Sequence, residues 1–362
     1  RMKTIFSTDP DKILPGSDYI TIVIGTEDED KLMQEAKIAD HHGFYFNIGD
    51  SYGFSLAARI IRTFSNFDAI FELINKFAPQ ARVINLSNPM SLITRLAKKR
   101  LVNKEVMGFC PGYRCLVNEM DSVKLVNTYG VNHCMIVDSV TMDNGILGWE
   151  ELLDHFKNKD ERLFGNAMAP GLGGLPLLED HHFLEFFPER ADLMTKTLTI
   201  KTNAAFQESR RVMRNERETL VKDWAYKDDF IPGANKQSGD PVQNLIRAME
   251  GLEGPIQGVI ETENRGFFNF VSDDLIIERP FVFEKSARLD QPEVISFPHS
   301  IAPGFKEKLK DIDYVFERLF YAHLKKDSVP LFEAMDRMYG FNRPALAEIK
   351  DYLQREIDEF WV

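Results

Sequence analysis

Nowhere in the 362 residues is there a Gly-x-Gly-x-x-Gly turn, the strand-to-helix fingerprint on which a dinucleotide pyrophosphate rests. No stretch approaches the roughly 18 apolar residues of a membrane-crossing helix. No signal-peptide pattern opens the chain either, so a membrane partner is not expected. With 44 basic against 56 acidic residues the net charge is −12, and no basic run stands out. That sets nucleic acid aside as a partner. Only three cysteines occur, Cys110, Cys115 and Cys134, too few for a disulfide framework. They suit a reducing, cytoplasmic setting. Repeats and low-complexity tracts are missing, and the length implies one large or two medium domains.

What is present concentrates between Val83 and Asp138, in three short signatures. Asn85-Leu86-Ser87-Asn88-Pro89 follows a short apolar strand, with Asn88 a natural N-cap and Pro89 a natural first residue for a helix over 90–99. Gly108-Phe109-Cys110-Pro111-Gly112 ends a second strand. If the two strands are parallel neighbours, Asn88 and Cys110 share the crevice at their carboxyl ends, where open α/β sheets bind ligands. Gly130-Val131-Asn132-His133 then leads into the apolar run 134–140, placing His133 23 residues after Cys110. A lone cysteine is commonly a small buried hydrophobe. One cysteine and one histidine are too few for a closed zinc site, but they suit an open one in which substrate oxygens complete the shell.

Around this core, residues 18–25 read as a buried strand and 27–43 as a charged helix. His41 and His42 end that helix, where the dipole favours them. A loop over 49–53 precedes apolar helices at 54–64 and 68–77. This strand–helix alternation predicts a parallel doubly wound sheet. Beyond Asp138 the pattern changes. Asn144-Gly145 marks a hairpin, and 171–176 reads as a flexible connection or lid. Residues 191–224 form a long helical stretch with a charged face. Residues 256–262 and 275–283 alternate as antiparallel strands, and amphipathic helices at 306–326, 329–339 and 344–360 close the chain.

The order Asn-Pro, Gly-Phe-Cys, Gly-Val-Asn-His resembles the glycoside hydrolases of family 4, the NAD- and metal-dependent exceptions to the two-carboxylate mechanism. Supporting likenesses lie at Ile13–Ile20, at Gly49-Asp50-Ser51-Tyr52-Gly53 before Ala57-Ala58-Arg59, at Glu263-Asn264-Arg265-Gly266 and at Leu275–Pro280. The resemblance implies a partial, N-terminally incomplete Rossmann-like domain over 1–140. An α+β substrate and oligomerisation domain over 141–362 follows, as in the lactate/malate dehydrogenase-like superfamily. It implies that Cys110 and His133 hold Mn2+ or another divalent cation, and that Asn88, Asn132 and Arg210 bind substrate. Gly49, Asp50, Ser51 and Tyr52 fall on the nicotinamide side of NAD, whose binding the missing fingerprint makes weak or absent. The expected ligand is a small glycoside or uronide, and the expected assembly a homodimer or homotetramer.

In that family NAD takes hydride from the sugar C3, a base removes the C2 proton, and the glycosidic oxygen leaves by elimination. The cation acts as a Lewis acid on the sugar oxygens. Leu177–Pro188 is similar to a segment of the α-galactosidase and α-galacturonidase branch, with His182 and Glu185 matching. Two departures concern protons. Phe186 stands where that branch has tyrosine, with no tyrosine between Tyr129 and Tyr226, and Pro111 stands where relatives carry Asp, Asn or His. His182, oriented by Glu185, is the replacement base, and impaired turnover is expected. A sugar-acid or hydroxy-acid dehydrogenase and a degenerate, non-catalytic paralogue are the alternatives.

Overall fold

The structure is a computed structural model. It describes residues 7–25, 28–45, 49, 51–113, 116, 119–120, 122–158, 162–190, 203–225, 241–285, 288 and 301–361.

A nine-stranded sheet carries the molecule. After the short α1 (Pro10–Ile13), strands β1 (Tyr19–Ile22), β2 (Arg82–Asn85) and β3 (Val106–Gly108) run parallel, with Ile22 level with Asn85 and Asn85 level with Gly108. Helices α2 (Glu29–His42) and α3 (Phe54–Phe77) connect β1 to β2, and α4 (Met90–Arg100) connects β2 to β3. On its other side β3 meets antiparallel β8 (Ile256–Glu263). The sheet continues through β9 (Ile276–Phe283), β4 (Val123–Val131), β5 (Cys134–Met142) and β6 (Gly145–Gly148). A parallel, helix-connected part is thus followed by an antiparallel α+β part, as the sequence pattern requires.

Strand periodicity decides which face each side chain serves. Val83 and Val106 join the main core beneath α3, α4 and the C-terminal helices α10 (Pro303–Lys325), α11 (Ser328–Tyr339) and α12 (Arg343–Phe360). Their neighbours Ile84 and Met107 point the other way, onto Val242, Leu245 and Met249 of α9 (Pro241–Met249). Farther along, Met135 and Val137 pack on Leu152 and Phe156 of α5 (Trp149–Phe156). Both faces of the sheet are covered there, which is why β2 and β3 carry apolar residues on both.

Two expectations change. Residues 54–64 and 68–77 form one helix, because Ser65-Asn66-Phe67 holds no breaker and Phe64, Phe67, Phe71 and Ile74 keep one buried stripe running. The anticipated loop at 171–176 is also more ordered than a flexible connection. Gly173, at φ 69, ends α6 (Leu163–Leu172), and Leu175–Pro176 (β7) then pairs with β5. After α7 (Asp180–Phe183), helix α8 starts at Asn203, its first N–H groups donating to the Asp40 carboxylate, and runs to Ala225. Residues 191–202 of the long helical stretch lie outside the described residues. No helix among the described residues is long and apolar enough to cross a membrane.

Candidate active site

β3 delivers the chain through Phe109 to Cys110, at the carboxyl end of the parallel strands. From across the sheet, β4 and β5 close so tightly that Val131 pairs with Cys134, leaving Asn132 and His133 as a two-residue turn. His133 sits at φ 66, a left-handed conformation that histidine tolerates better than most residues. Both residues of the turn are buried. The turn brings His133 Nε2 to 4.0 Å from Cys110 Sγ, within the range of about 3 to 5 Å expected for two ligands of one cation. The loop before α3 supplies Ser51, whose Oγ is 2.5 Å from His133 Nδ1. One ring nitrogen is therefore held by a hydroxyl while the other faces sulfur, the arrangement that orients a metal-ligating imidazole. The Gly112 N–H donates to Cys110 Sγ at 3.4 Å. Cys134, one residue beyond His133, is fully buried and its thiol is pushed up to about 12, so it stays protonated.

His182, on α7, joins the same cluster with its ring tilted against its neighbours. Its ring centroid lies 4.5 Å from that of His133 and 4.2 Å from that of His181. His181 Nδ1 is 3.2 Å from a Glu179 carboxylate oxygen. Glu185 accepts the Gly49 N–H at 2.9 Å, and so anchors the loop that carries Ser51. Phe186 is a packing residue, stacked on Tyr52 with centroids 5.1 Å apart. Tyr52 in turn donates its hydroxyl to Asp311 at 3.1 Å. Pro111 opens a short 3-10 turn over Pro111–Tyr113.

Asn88 does not cap the following helix. The cap position belongs to Pro89, no side chain caps there, and the Asn88–Pro89 peptide is cis. The local hydrogen bonding is done instead by the buried Asn85, whose amide donates to Ser87 O, Met90 O and Thr94 Oγ1. Arg210 lies elsewhere. It lines a small groove between α8 and α2 with Glu29, Leu32, Met33, Gln207, Arg211 and Arg214, none of which belongs to the histidine cluster. Asp50 lies outside the described residues.

Beneath the cluster are two carboxyls that sequence reading missed. Asn132 Nδ2 donates to Glu278 Oε1 at 2.7 Å. Glu278 on β9 stands directly across from Glu261 on β8, and both are buried. Burial, then the neighbouring Glu278, pushes the Glu261 carboxyl well above the usual range. Burial also raises Glu278, against the donation from Asn132. Two like charges in this space do not both form, so the pair holds a proton. Gly108 makes room for it, since a Cβ there would lie 2.7 Å from Glu261 Oε2. A glutamate inside each of two apolar strands was the available signal. Pairing them needed the register of β8 against β9.

The parallel strands and the antiparallel half of the sheet thus meet where Cys110 approaches the Asn132-His133 turn, in an α/β protein. The family profile described as "Family 4 glycosyl hydrolase" matches residues 1–126, and that of its C-terminal domain matches 128–304. The chain belongs to family 4 of the glycosyl hydrolases. An α-galacturonidase of Bacillus subtilis is 24% identical over 290 residues, 70% of this chain and 63% of that protein. An α-galacturonidase of Thermoanaerobacter italicus is 22% identical over 90% of this chain and 77% of its own length. The chain thus spans under two thirds of the first relative and about three quarters of the second. Among solved structures, the 6-phospho-β-glucosidase of Thermotoga maritima, with manganese, NAD+ and glucose-6-phosphate, superposes with a TM-score of 0.76 at 17% identity. That match covers 99% of this chain and 85% of that one. A 6-phospho-α-glucosidase from gut microorganisms, in complex with NAD and glucose-6-phosphate, gives 0.77 at 13% identity, covering 98% and 84%. At these identities the likeness shows the fold.

Proposed function

We propose that this protein is a uronide-cleaving family 4 glycosidase, working at the Cys110–His133 centre with His182 as proton acceptor. The observation that carries the reading is the 4.0 Å approach of Cys110 Sγ to a His133 ring whose other nitrogen is held by Ser51. A thiolate and an imidazole are a fitting donor pair for a divalent transition cation. Bound there, a cation supplies Lewis acidity to the oxygens of the sugar ring. Asn132, next to His133, and Asn88, after the end of β2, are the sugar contacts of this reading. The Glu278 carboxyl fixes the Asn132 amide through its N–H and so orients the Asn132 oxygen. The choice of a uronide rests on the α-galacturonidases among the relatives and on the His182–Glu185 segment.

His182 is supported as the base by its place against His133 and by the packing role of Phe186. With Pro111 and Phe186 unable to move protons, turnover is set by one imidazole and falls below that of relatives carrying the tyrosine.

The residues expected at the nicotinamide end of a dinucleotide cradle are engaged within the fold. The Gly49 N–H is donated to Glu185, the Ser51 hydroxyl faces His133, the Tyr52 hydroxyl goes to Asp311 and the Phe54 N–H to Tyr339.

Turnover of aryl α-galacturonides with Mn2+, NAD and reductant tests the proposal. His182→Ala is expected to lower kcat on the order of 100-fold or more, and Cys110→Ser to abolish the Mn2+ dependence. Activity unchanged by His182→Ala would remove it from the mechanism. Calorimetric titration with NAD checks the cradle, and tight binding would show that another one exists.

A further inference from the structure

Apart from the residues of that centre, the last turn of α2 presents two consecutive histidines to the first turns of α12. His42 Nε2 is 2.7 Å, and His41 Nδ1 3.1 Å, from the same oxygen, Glu348 Oε2. The three ligand atoms all lie within 4.8 Å of one another. Consecutive helical residues point about 100° apart. They converge here only because Glu348 stands between their directions and α2 stops at once on Gly43, at φ 71. We infer that His41, His42 and Glu348 form a second metal site, taking a divalent transition cation of the zinc class.

The chemistry and the geometry agree. Two imidazoles and one carboxylate, with a fourth position left to water, are an established open zinc set. Ligands about 2.0–2.2 Å from a tetrahedral cation stand roughly 3.3 Å apart, so the observed separations need only small rotations. The site sits at a helix C-terminus, where unsatisfied carbonyls favour positive charge. It is also reachable, since the His41 and Glu348 side chains are 70% and 40% exposed while His42 is 11% exposed. Without a cation the cluster is a histidine–glutamate hydrogen-bonded group. With one, it becomes a brace. Asp40, in the same turn, already holds the start of α8 through the N–H groups of Asn203 and Ala204. A cation on His41, His42 and Glu348 therefore ties α2, α8 and α12 at one point.

The test uses the full chain, stripped with chelator and titrated with Co2+ as a spectroscopic probe. Two classes of site are expected. Cys110 marks one by a thiolate-to-cobalt charge-transfer band, while the other, all nitrogen and oxygen, shows ligand-field bands alone. His42→Ala and Glu348→Gln should each weaken the second class at least about tenfold and leave the thiolate band alone, because even an outer-shell change costs that much. Cys110→Ser should do the reverse. Zn2+ should still raise the melting temperature of the Cys110→Ser chain and should not raise that of Cys110→Ser combined with Glu348→Gln. A single class of Co2+ site lost in Cys110→Ser overturns the inference. So does a second class untouched by both His42→Ala and Glu348→Gln.

Discussion

Glu35 and Glu356 are buried against Arg62, whereas Glu261 and Glu278 are buried against each other. In the first region Arg62 donates to both carboxylates at 2.9 Å, and Tyr352 donates to Glu35 at 2.7 Å. Lys31 reaches Glu356 at 2.7 Å, and Ser55 donates to Glu35. Every charge there has a counter-charge, and the network joins α2, α3 and α12. In the second region, among the described residues, no lysine or arginine partners either carboxyl. Asn132 donates to Glu278, the two carboxyls hydrogen-bond each other, and the His133 imidazole favours the charged form of both. Compensation comes from a retained proton. The contrast separates two uses of a buried acid. One fixes how helices meet, and its charges are matched because nothing else needs them. The other lies under a site with a thiol and imidazoles, where a fixed cation would compete with any metal for the same ligands.

The strongest way to break the comparison is to unpair the first network. Arg62→Met strands Glu35 and Glu356, and should cost about 3–5 kcal/mol in equilibrium denaturation. Replacing Glu35, Arg62 and Glu356 together by apolar residues of similar volume should cost far less. A small loss in Arg62→Met would mean that Lys31 and Tyr352 carry the charges without it. Crowding the second region comes next. Gly108→Ala places a methyl against Glu261 and Thr94, and should cost about 1–3 kcal/mol. Part of that loss should return when Glu261 is shortened to alanine.

The smallest effect sharpens the comparison most. The Glu261 carboxyl is raised in the folded state from an ordinary value of 4.5. The folded chain therefore holds its proton where the unfolded chain has lost it. Stability contributed by that group is full below about 4.5 and is lost as pH rises through the folded value. Glu261→Gln should flatten this slope and add on the order of 1 kcal/mol at alkaline pH. Identical pH–stability curves for wild type and Glu261→Gln would show that the pair does not keep its proton.

Much of the site was legible in the chain. Cys110 and His133, read in that order along the chain, do approach each other, and the segment around His182 reaches the same cluster. These residues follow strand ends, and strand ends are readable from apolar runs and turn residues. Other readings failed for physical reasons. Asn88 looked like a cap because its identity suits one, yet the peptide geometry at Pro89 gives the cap position to the proline. Arg210 sits on a charged helix whose rotation no sequence period fixes, and packing on α2 turned it to another groove.

By itself the sequence determined the alternation of strands and helices, a turn within Gly130-Val131-Asn132-His133 before the apolar run 134–140, and the gathering of chemistry between Val83 and Asp138. Each depends on neighbours a few residues apart, where backbone sterics and side-chain period act directly. Only the tertiary structure decided that β8 and β9 insert between β3 and β4, setting Glu261 beside Gly108 and Glu278 beneath Asn132. Only it decided that His41, His42 and Glu348, 306 residues apart along the chain from His42 to Glu348, meet at one oxygen. Contacts of that range are set by how apolar faces pack, and a one-residue register slip of either strand would have turned its glutamate to the other face.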